Sequence, residues 1–517
     1  MKRLLTLLLT LAMLFTGFAF AEFEEEPTEI VWFWREGGDI QLPEDSYIVQ
    51  KVLKDLNIKY VHVTSVGQTP EEKLTMLLAS GEVPDIIDSY GDKTTELRAD
   101  GVIVPLDEYI TPERVPHLFQ NVKEFSAALE LMRRDDGHIW AIPATFASLA
   151  GPTPWIRYDW LENLGLDVPE TMEELKDVLI AFTYDDPDGN GEDDTWGTSY
   201  GGIYNGISTN MGGGWGTWYL TEGGVEIGFK TEQVAEYVAF MRSLIAEGAC
   251  DPEILDPNEL GNGHGDKIVA GKIGFSFGYC STTQAEDMRK LNPEADWRPM
   301  KTPKGIYDQG YLPMDGILRQ EYCISQKAVD AGKIDAILAL LDYMCNDGGD
   351  VVNIDYDAPY WEVSYGERGV NWDVTEDGKF DYNGTYIEEI KANNEGKDYL
   401  GGRCRRFRTI GMQAAVDSSR TPEDKANNDF INSLPLMGSI PQVPGAPIYA
   451  EGIVFPNEYV EVMKSLDSLW GIYYNKALLG QIDVYEGIEQ FREDAVKAGF
   501  EDVEPIIIEM FEKLGKF

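Results

Sequence analysis

RYDWLENLGLDVPETMEELKDVLIAFTYDDPDGNGEDD, residues 157–194, decides more about this chain than any other stretch. Pro169 precedes Thr171, and Glu174 follows three residues on; a threonine hydroxyl and a glutamate carboxylate at that spacing cap each other's backbone N–H groups and start a helix. Leu175, Val178, Leu179 and Phe182 then recur at helical spacing and form one apolar face. Directly after them, Asp186, Asp188, Asn190, Gly191 and Asp194 fall at positions 1, 3, 5, 6 and 9 of a calcium-loop pattern. Alternating carboxylate and amide oxygens around a tight glycine turn suit a hard cation, and Glu192 would add its backbone carbonyl. Gly197 occupies position 12, where a full EF-hand carries a bidentate glutamate, so this is not an EF-hand. The expectation is a structural calcium held by Asp186, Asp188, Asn190, Glu192 and Asp194. The plain alternative is an acidic surface turn in an acidic protein.

N-terminal to this stretch the pattern is strand–helix–strand–helix–strand. EIVWFW (29–34) alternates as a first strand, 44–56 suits a helix, and IKYVHV (58–63) a second strand. Thr69-Pro70-Glu71-Glu72 combines a cap, a first-turn proline and a second capping box. Leu74, Leu77 and Leu78 form that helix's face, Gly81 ends it, and Pro84-Asp85-Ile86-Ile87 begins a third strand. Such an order predicts an open, mostly parallel sheet, whose ligands lie beyond the carboxyl ends of the strands. That singles out Trp34, Arg35 and Tyr90. Further along, 138–149 reads as a strand leading to a crossing point. Thr231 starts a helix with Val234, Val238, Met241 and Ile245 on one face, 271–277 reads as a strand, and 328–345 and 457–480 as helices. Residues 346–385 and 396–456 are rich in Gly, Asn, Asp and Pro and read as mostly loop.

Bulk properties narrow the function classes. Lys2 and Arg3 followed by an uncharged apolar run from Leu4 to Phe20, with Ala19-Phe20-Ala21 at its end, form an export signal over residues 1–21. The first cysteine is Cys250, so a lipid anchor on an N-terminal cysteine is not expected. A chain of 517 residues exceeds one compact core and implies two or more domains. The net charge of −47 opposes nucleic acid and anionic membrane surfaces as partners. Five cysteines make no metal spacing and read as small buried side chains, and four scattered histidines give little material for a His-based centre.

Several segments together resemble the extracellular solute-binding proteins of bacterial ABC transporters, family 1, especially the large carbohydrate-binding members. They are EEKLTMLLASGEVPDII (71–87), the 157–194 stretch, MRSLIAEGACDPEIL (241–255), GKIGFSFGY (271–279), YGERGVNWDVTEDGK (365–379) and the helical C-terminal part. The resemblance implies an α/β, two-lobed periplasmic-binding-protein-like fold of the class II type, each lobe an open, mostly parallel sheet flanked by helices. The lobes would be 22–145 with about 303–365, and 146–302 with about 366–517. It implies an exported monomer, extracellular or periplasmic, that closes its cleft by hinge motion on an oligosaccharide or glycan fragment and docks on a membrane permease. The related acidic loop often ends in a further ligating glutamate, where this chain has Thr195.

Sugar rings pack their C–H faces on indole and phenol rings, and this chain has 12 Trp and 26 Tyr. GGGWGTWY (212–219) sets Trp215 and Trp218 in a glycine-rich loop, where a ligand-facing role is expected beside a packing one. Trp34 and Tyr90 at strand ends, Tyr279 after a strand and Trp361 in a loop complete the aromatic candidates, with Arg35 as a guanidinium fork for hydroxyls or a carboxylate. Trp160 and Trp470, on helical patterns, read as core. Arg403, Arg405, Arg406 and Arg408 read as ordinary partners for some of the 90 acidic residues. Ninety carboxylates always contain a pair, so they carry no glycosidase signal, and no nucleophile, zinc or nucleotide motif stands in context. The reading is a non-enzymatic transport binding protein; a secreted glycan-active enzyme, or a surface sensor or adhesin on the same fold, remain the alternatives.

Overall fold

The computed structural model describes residues 26–35, 44–65, 68–123, 125–134, 136–144, 152–199, 204–251, 263–278, 280–313, 321–382, 407, 409–442, 444–448, 455–513 and 515–516. The export signal, Tyr279, Cys404 and the four arginines of 403–408 lie outside the described residues. The strands in chain order are β1 (Thr28–Phe33), β2 (Ile58–Val63), β3 (Ile86–Ser89), β4 (Ile142–Pro143), β5 (Thr153–Arg157), β6 (Trp196–Thr198) and β7 (Trp218–Thr221). They continue with β8 (Gly224–Ile227), β9 (Ile273–Gly278), β10 (Trp297–Pro299), β11 (Glu321–Ile324), β12 (Trp372–Val374) and β13 (Phe380–Tyr382).

Two sheets organise the molecule. The first has the order β2-β1-β3-β11-β4. β1 runs parallel to β2, from Thr28 opposite Ile58 to Phe33 opposite Val63, and parallel to β3. β11 closes against β3 and β4 in the antiparallel sense. The Tyr47–Leu56 and Pro70–Ser80 helices are the crossovers. The second starts where its sequence says: Glu72 N–H donates to Thr69 Oγ1 at 3.2 Å, Thr69 N–H to Glu72 Oε2 at 3.0 Å, and Gly81 ends the helix at φ +79°. Ile30, Trp32, Phe33, Ile86 and Ile87 lie in the core between the flanking helices, as expected of a sheet covered on both faces.

The second sheet has the order β10-β5-β9-β6, with only β6 and β9 parallel, so the expectation of a mostly parallel sheet does not hold in this lobe: β5 pairs antiparallel with both of its neighbours. The Met172–Tyr184 helix covers it, with the predicted capping box formed by Thr171 and Glu174 and Leu175, Val178, Leu179 and Phe182 all buried. The Glu232–Ala246 helix and three C-terminal helices, Asn457–Leu478, Val484–Lys497 and Phe500–Lys513, share the same core. Trp160 and Trp470 are buried in it, as their helical patterns predict.

Some expectations needed correction. The 328–345 helix is two, Gln326–Asp330 and Ile334–Tyr343, divided near Gly332 at φ +71°. Of the strand at 138–149, the described part is β4 alone. The loop reading of 346–385 and 396–456 missed the Pro359–Tyr365, Ile410–Ser419 and Pro422–Ser433 helices and the β12–β13 hairpin. Composition hid caps that are present: Thr409 and Thr421 accept from Met412 N–H and Asp424 N–H, and Pro422 stands at the first helical position. No helix among the described residues is long and apolar enough to cross a membrane.

Candidate functional site

The carboxyl ends of β1, β2, β3 and β4 meet at one edge of the first sheet, and antiparallel β11 begins there with Glu321 opposite Ser89 and Pro143. Trp34 leaves β1 at this edge with its N–H bonded to Val63 O at 2.8 Å. Its indole is 2 % exposed and stands edge-on to His62, ring centroids 4.0 Å apart, with Trp32 at 6.2 Å. The next residue, Arg35, holds its guanidinium 4.8 Å above the Tyr90 ring, a cation–π distance. Arg35 N–H donates to Asp88 Oδ2 at 3.3 Å, and Tyr90 OH reaches Glu71 Oε1 at 3.5 Å. Arg35 and Tyr90 are both half-buried, which leaves each a face toward solvent.

Behind this pair lies a buried polar network that sequence reading missed. Arg134 Nη2 donates to both oxygens of Glu321 at 3.1 and 2.9 Å, with the side chains 4 % and 3 % exposed. Thr94 Oγ1 donates to Glu321 Oε2 at 2.5 Å and lies 3.0 Å from Ser89 Oγ. A buried ion pair adds little net stability over an apolar substitute, but removing one partner strands a charge, so it fixes the geometry of β3 and β11 at the edge. Its members are 187 residues apart, and no local signal links them.

Among the described residues, Trp215, Trp218 and Trp361 pack against partners other than Arg35 and Tyr90. Trp215 lies in a turn as expected, but its ring stacks on Trp470 at 5.7 Å and meets Phe491 edge-on at 5.9 Å. Trp218 is on β7, not in a loop, 3 % exposed, with Nε1 donating to Tyr459 OH at 3.0 Å. Trp361 is on the Pro359–Tyr365 helix, fully buried among Tyr356, Trp372 and Phe380, with Nε1 donating to Asp355 O at 2.9 Å. Satisfied N–H groups and covered rings make Trp218 and Trp361 packing residues in this form. Cys250, Cys323 and Cys345 are buried free thiols, and burial pushes Cys250 up to about 12.

Within the second half of the fold, a cavity of about 550 Å³ opens beside the β7–β8 hairpin. Glu222, Glu226, Glu232, Gln233, Ile306 and Pro444 stand in its wall. Its residues are scattered over 212–233, 306 and 444–445, so no local signal marks it.

The acidic loop after the Met172–Tyr184 helix draws its predicted side chains together. Asp186, at φ +48°, accepts Asn190 N–H at 3.1 Å and Gly191 N–H at 3.0 Å. Asn190 Nδ2 donates to Asp188 Oδ2 at 3.0 Å and Asp194 Oδ1 at 3.3 Å, and Glu192 N–H donates to Asn190 Oδ1 at 2.6 Å. Lys272 forms an ion pair with Asp194, which holds that carboxyl below its usual range. Asp188 is pushed upward, first by burial and then by the neighbouring Asp186 and Asp194. That crowding of oxygens and charge fits a hard cation. Among the described residues, however, no group of three His, Cys, Asp or Glu side chains is drawn close enough to hold a metal in this arrangement. Asn190 and Lys272 take the contacts. Both departures from the full loop have a packing cause: Thr195 is buried and donates to Phe182 O at 2.8 Å, and a Cβ on Gly197 would lie 2.3 Å from Leu179 O.

The chain matches the bacterial extracellular solute-binding protein family over residues 41–351. It is 31% identical over 163 residues to the fructooligosaccharide ABC transporter substrate-binding protein FusA of Streptococcus pneumoniae serotype 4, which is 29% of this chain and 30% of that one. The chain spans half or less of the length of the curated relatives it matches. Among solved structures, the alginate-binding protein AlgQ2 without calcium ion superimposes with a TM-score of 0.70 at 18% identity, covering 96% of this chain and 100% of that one. An EF-hand mutant of S. pneumoniae FusA in complex with fructo-nystose does so at 0.61 and 16%, covering 94% and 99%. At these identities the likeness is one of fold: two lobes, each an α/β sheet. With the family match covering more than half of its residues, the chain belongs to the bacterial extracellular solute-binding proteins.

Proposed function

We propose that this protein captures an oligosaccharide between its two lobes, outside the cytoplasm, and delivers it to the permease of an ABC transporter. The lobes are 22–145 with about 303–365 and 146–302 with about 366–517, except that 304–312 pack with the second, where Lys304 N–H bonds to Glu170 O and Ile306 N–H to Asn210 O; the protein acts as a monomer. The observation that carries the reading is the Arg35–Tyr90 pair at the carboxyl edge of the first sheet. Sheets of this kind bind ligands at that edge. A half-buried phenol ring offers a sugar's C–H face a surface, while guanidinium N–H groups reach its hydroxyls. Trp34 backs the pair, and Tyr279 and Trp215 would contribute from the second lobe. Family membership and relatives that bind fructooligosaccharide and alginate support a saccharide as the ligand class.

Asp186, Asp188, Asn190, Asp194 and the carbonyl of Glu192 would hold a structural calcium ion. Bound there, it would supply the charge that lets the three carboxylates converge without Lys272. An ion there would brace the lobe, on the loop that follows the helix covering the second sheet. The EF-hand of the relative FusA supports this reading.

A thermal-shift screen against a broad panel of oligosaccharides tests the proposal, since a ligand of the native state raises its melting temperature. At least one saccharide should do so, and that saccharide should be recovered intact after incubation. A panel without any stabilising member, or the appearance of cleavage products, would overturn it.

A further inference from the structure

The cavity of about 550 Å³ beside the β7–β8 hairpin belongs to the second half of the fold and shares no residue with the Arg35–Tyr90 edge. Its size falls within the range of small-ligand sites. Three carboxylates, Glu222, Glu226 and Glu232, stand in the wall with the amide of Gln233. The basic side chain there, Lys230, is engaged by Glu504, with Nζ 2.7 and 2.6 Å from its two oxygens. The wall is therefore negative and rich in acceptors. It also contains apolar surface from Ile306, 45 % exposed, and from Pro444. An exposed branched aliphatic among carboxylates suits a ligand with a C–H face and many hydroxyl donors. A uronate or phosphate would meet like charge in the same space.

We propose that this cavity is a second saccharide site, selective for glycans without anionic groups. Hydroxyls donate to Glu226 and Glu232 while one ring face rests on Ile306. The inference rests on the oligosaccharide reading for its ligand class, but its residues are different, so the two can fail separately.

Calorimetric titration with maltotetraose, cellotetraose and kestose as neutral probes, and tetragalacturonate as the anionic one, tests it. The variants are Arg35→Met with Tyr90→Ala, which disables the edge, and Glu226→Gln with Glu232→Gln, which leaves the edge intact. Unchanged melting temperatures control for folding. At least one neutral probe should still bind the edge variant. Adding the two glutamine substitutions should weaken that residual binding tenfold or more and narrow the preference over tetragalacturonate. Neutral-probe binding that is abolished by the edge variant and altered less than twofold by the glutamine pair would overturn the cavity proposal while leaving the proposed function standing. Tetragalacturonate binding as tightly as the neutral probes in the edge variant would also overturn it. Absence of binding by every probe to every form, the natural sequence included, would count against both.

Discussion

Arg35 and Tyr90 stand where the alternation of EIVWFW and the end of the third strand put them, because a parallel sheet delivers the residues after its strands to one edge. Replacing Arg35 by Met, or Tyr90 by Ala, should weaken oligosaccharide binding tenfold or more in a titration, with melting temperature nearly unchanged; equal affinity in both variants would remove the pair from the site. Trp218 is the opposite case. Its glycine-rich neighbourhood reads as a loop, yet Leu220 N–H bonds to Ala446 O, and the ring packs near Phe500 and Phe511. Those partners come from more than 200 residues away, so nothing local in GGGWGTWY distinguishes a core indole from a ligand platform. Trp218→Ala should cost about 3–5 kcal/mol of stability by cavity formation. A denaturant titration showing less than 1 kcal/mol would contradict the packing role. The Arg134–Glu321 pair was equally invisible, since its two halves meet only after the chain has crossed between sheets and returned.

At the scale of elements, caps were the most legible feature. Thr69 and Thr171 form the boxes their spacing predicts, whereas Thr231 takes the cap position of its helix but donates to Gly228 O instead. Thr171→Ala should therefore destabilise by about 1 kcal/mol, and Thr231→Ala should affect the helix start less. Relative melting temperatures test the contrast. The acidic loop makes a pH-dependent prediction. Asp194, held low by Lys272, stabilises the fold above the ordinary carboxylate range of about 4 and loses that contribution as pH falls through its depressed value. Asp188 acts with the opposite sign: burial and its neighbours disfavour its charge, so protonation relieves the fold as pH falls through its raised value. A bound cation requires both carboxylates ionised. Calcium should raise the melting temperature at pH 7.5 and raise it much less at pH 4.5, while Lys272→Met should enlarge the effect at pH 7.5. Equal melts with calcium and with chelator at pH 7.5 would exclude the ion. The sequence supplied the loop's spacing, but not the reason for its missing twelfth ligand, which is the approach of Gly197 to the backbone of Leu179.

For the whole molecule, two sheets joined by crossing segments predict a hinge, and a ligand that touches both lobes shifts the population toward a closed form. Small-angle scattering at saturating oligosaccharide should give a smaller radius of gyration than the free protein; identical curves would argue against closure. The strand order carries a consequence of a different kind. All strands of the second sheet come from 153–299, an uninterrupted stretch, whereas the first sheet is built from 28–143 and then waits for β11 at 321–324. A chain emerging from its N-terminus therefore exposes β3 and β4 with no neighbour between them until the entire second sheet has been made. Early in its life the first lobe is an incomplete sheet with open, hydrophobic edges, the kind of surface that pairs with other chains. Until residues 321–324 follow, that edge of β3 has no partner strand to cover it.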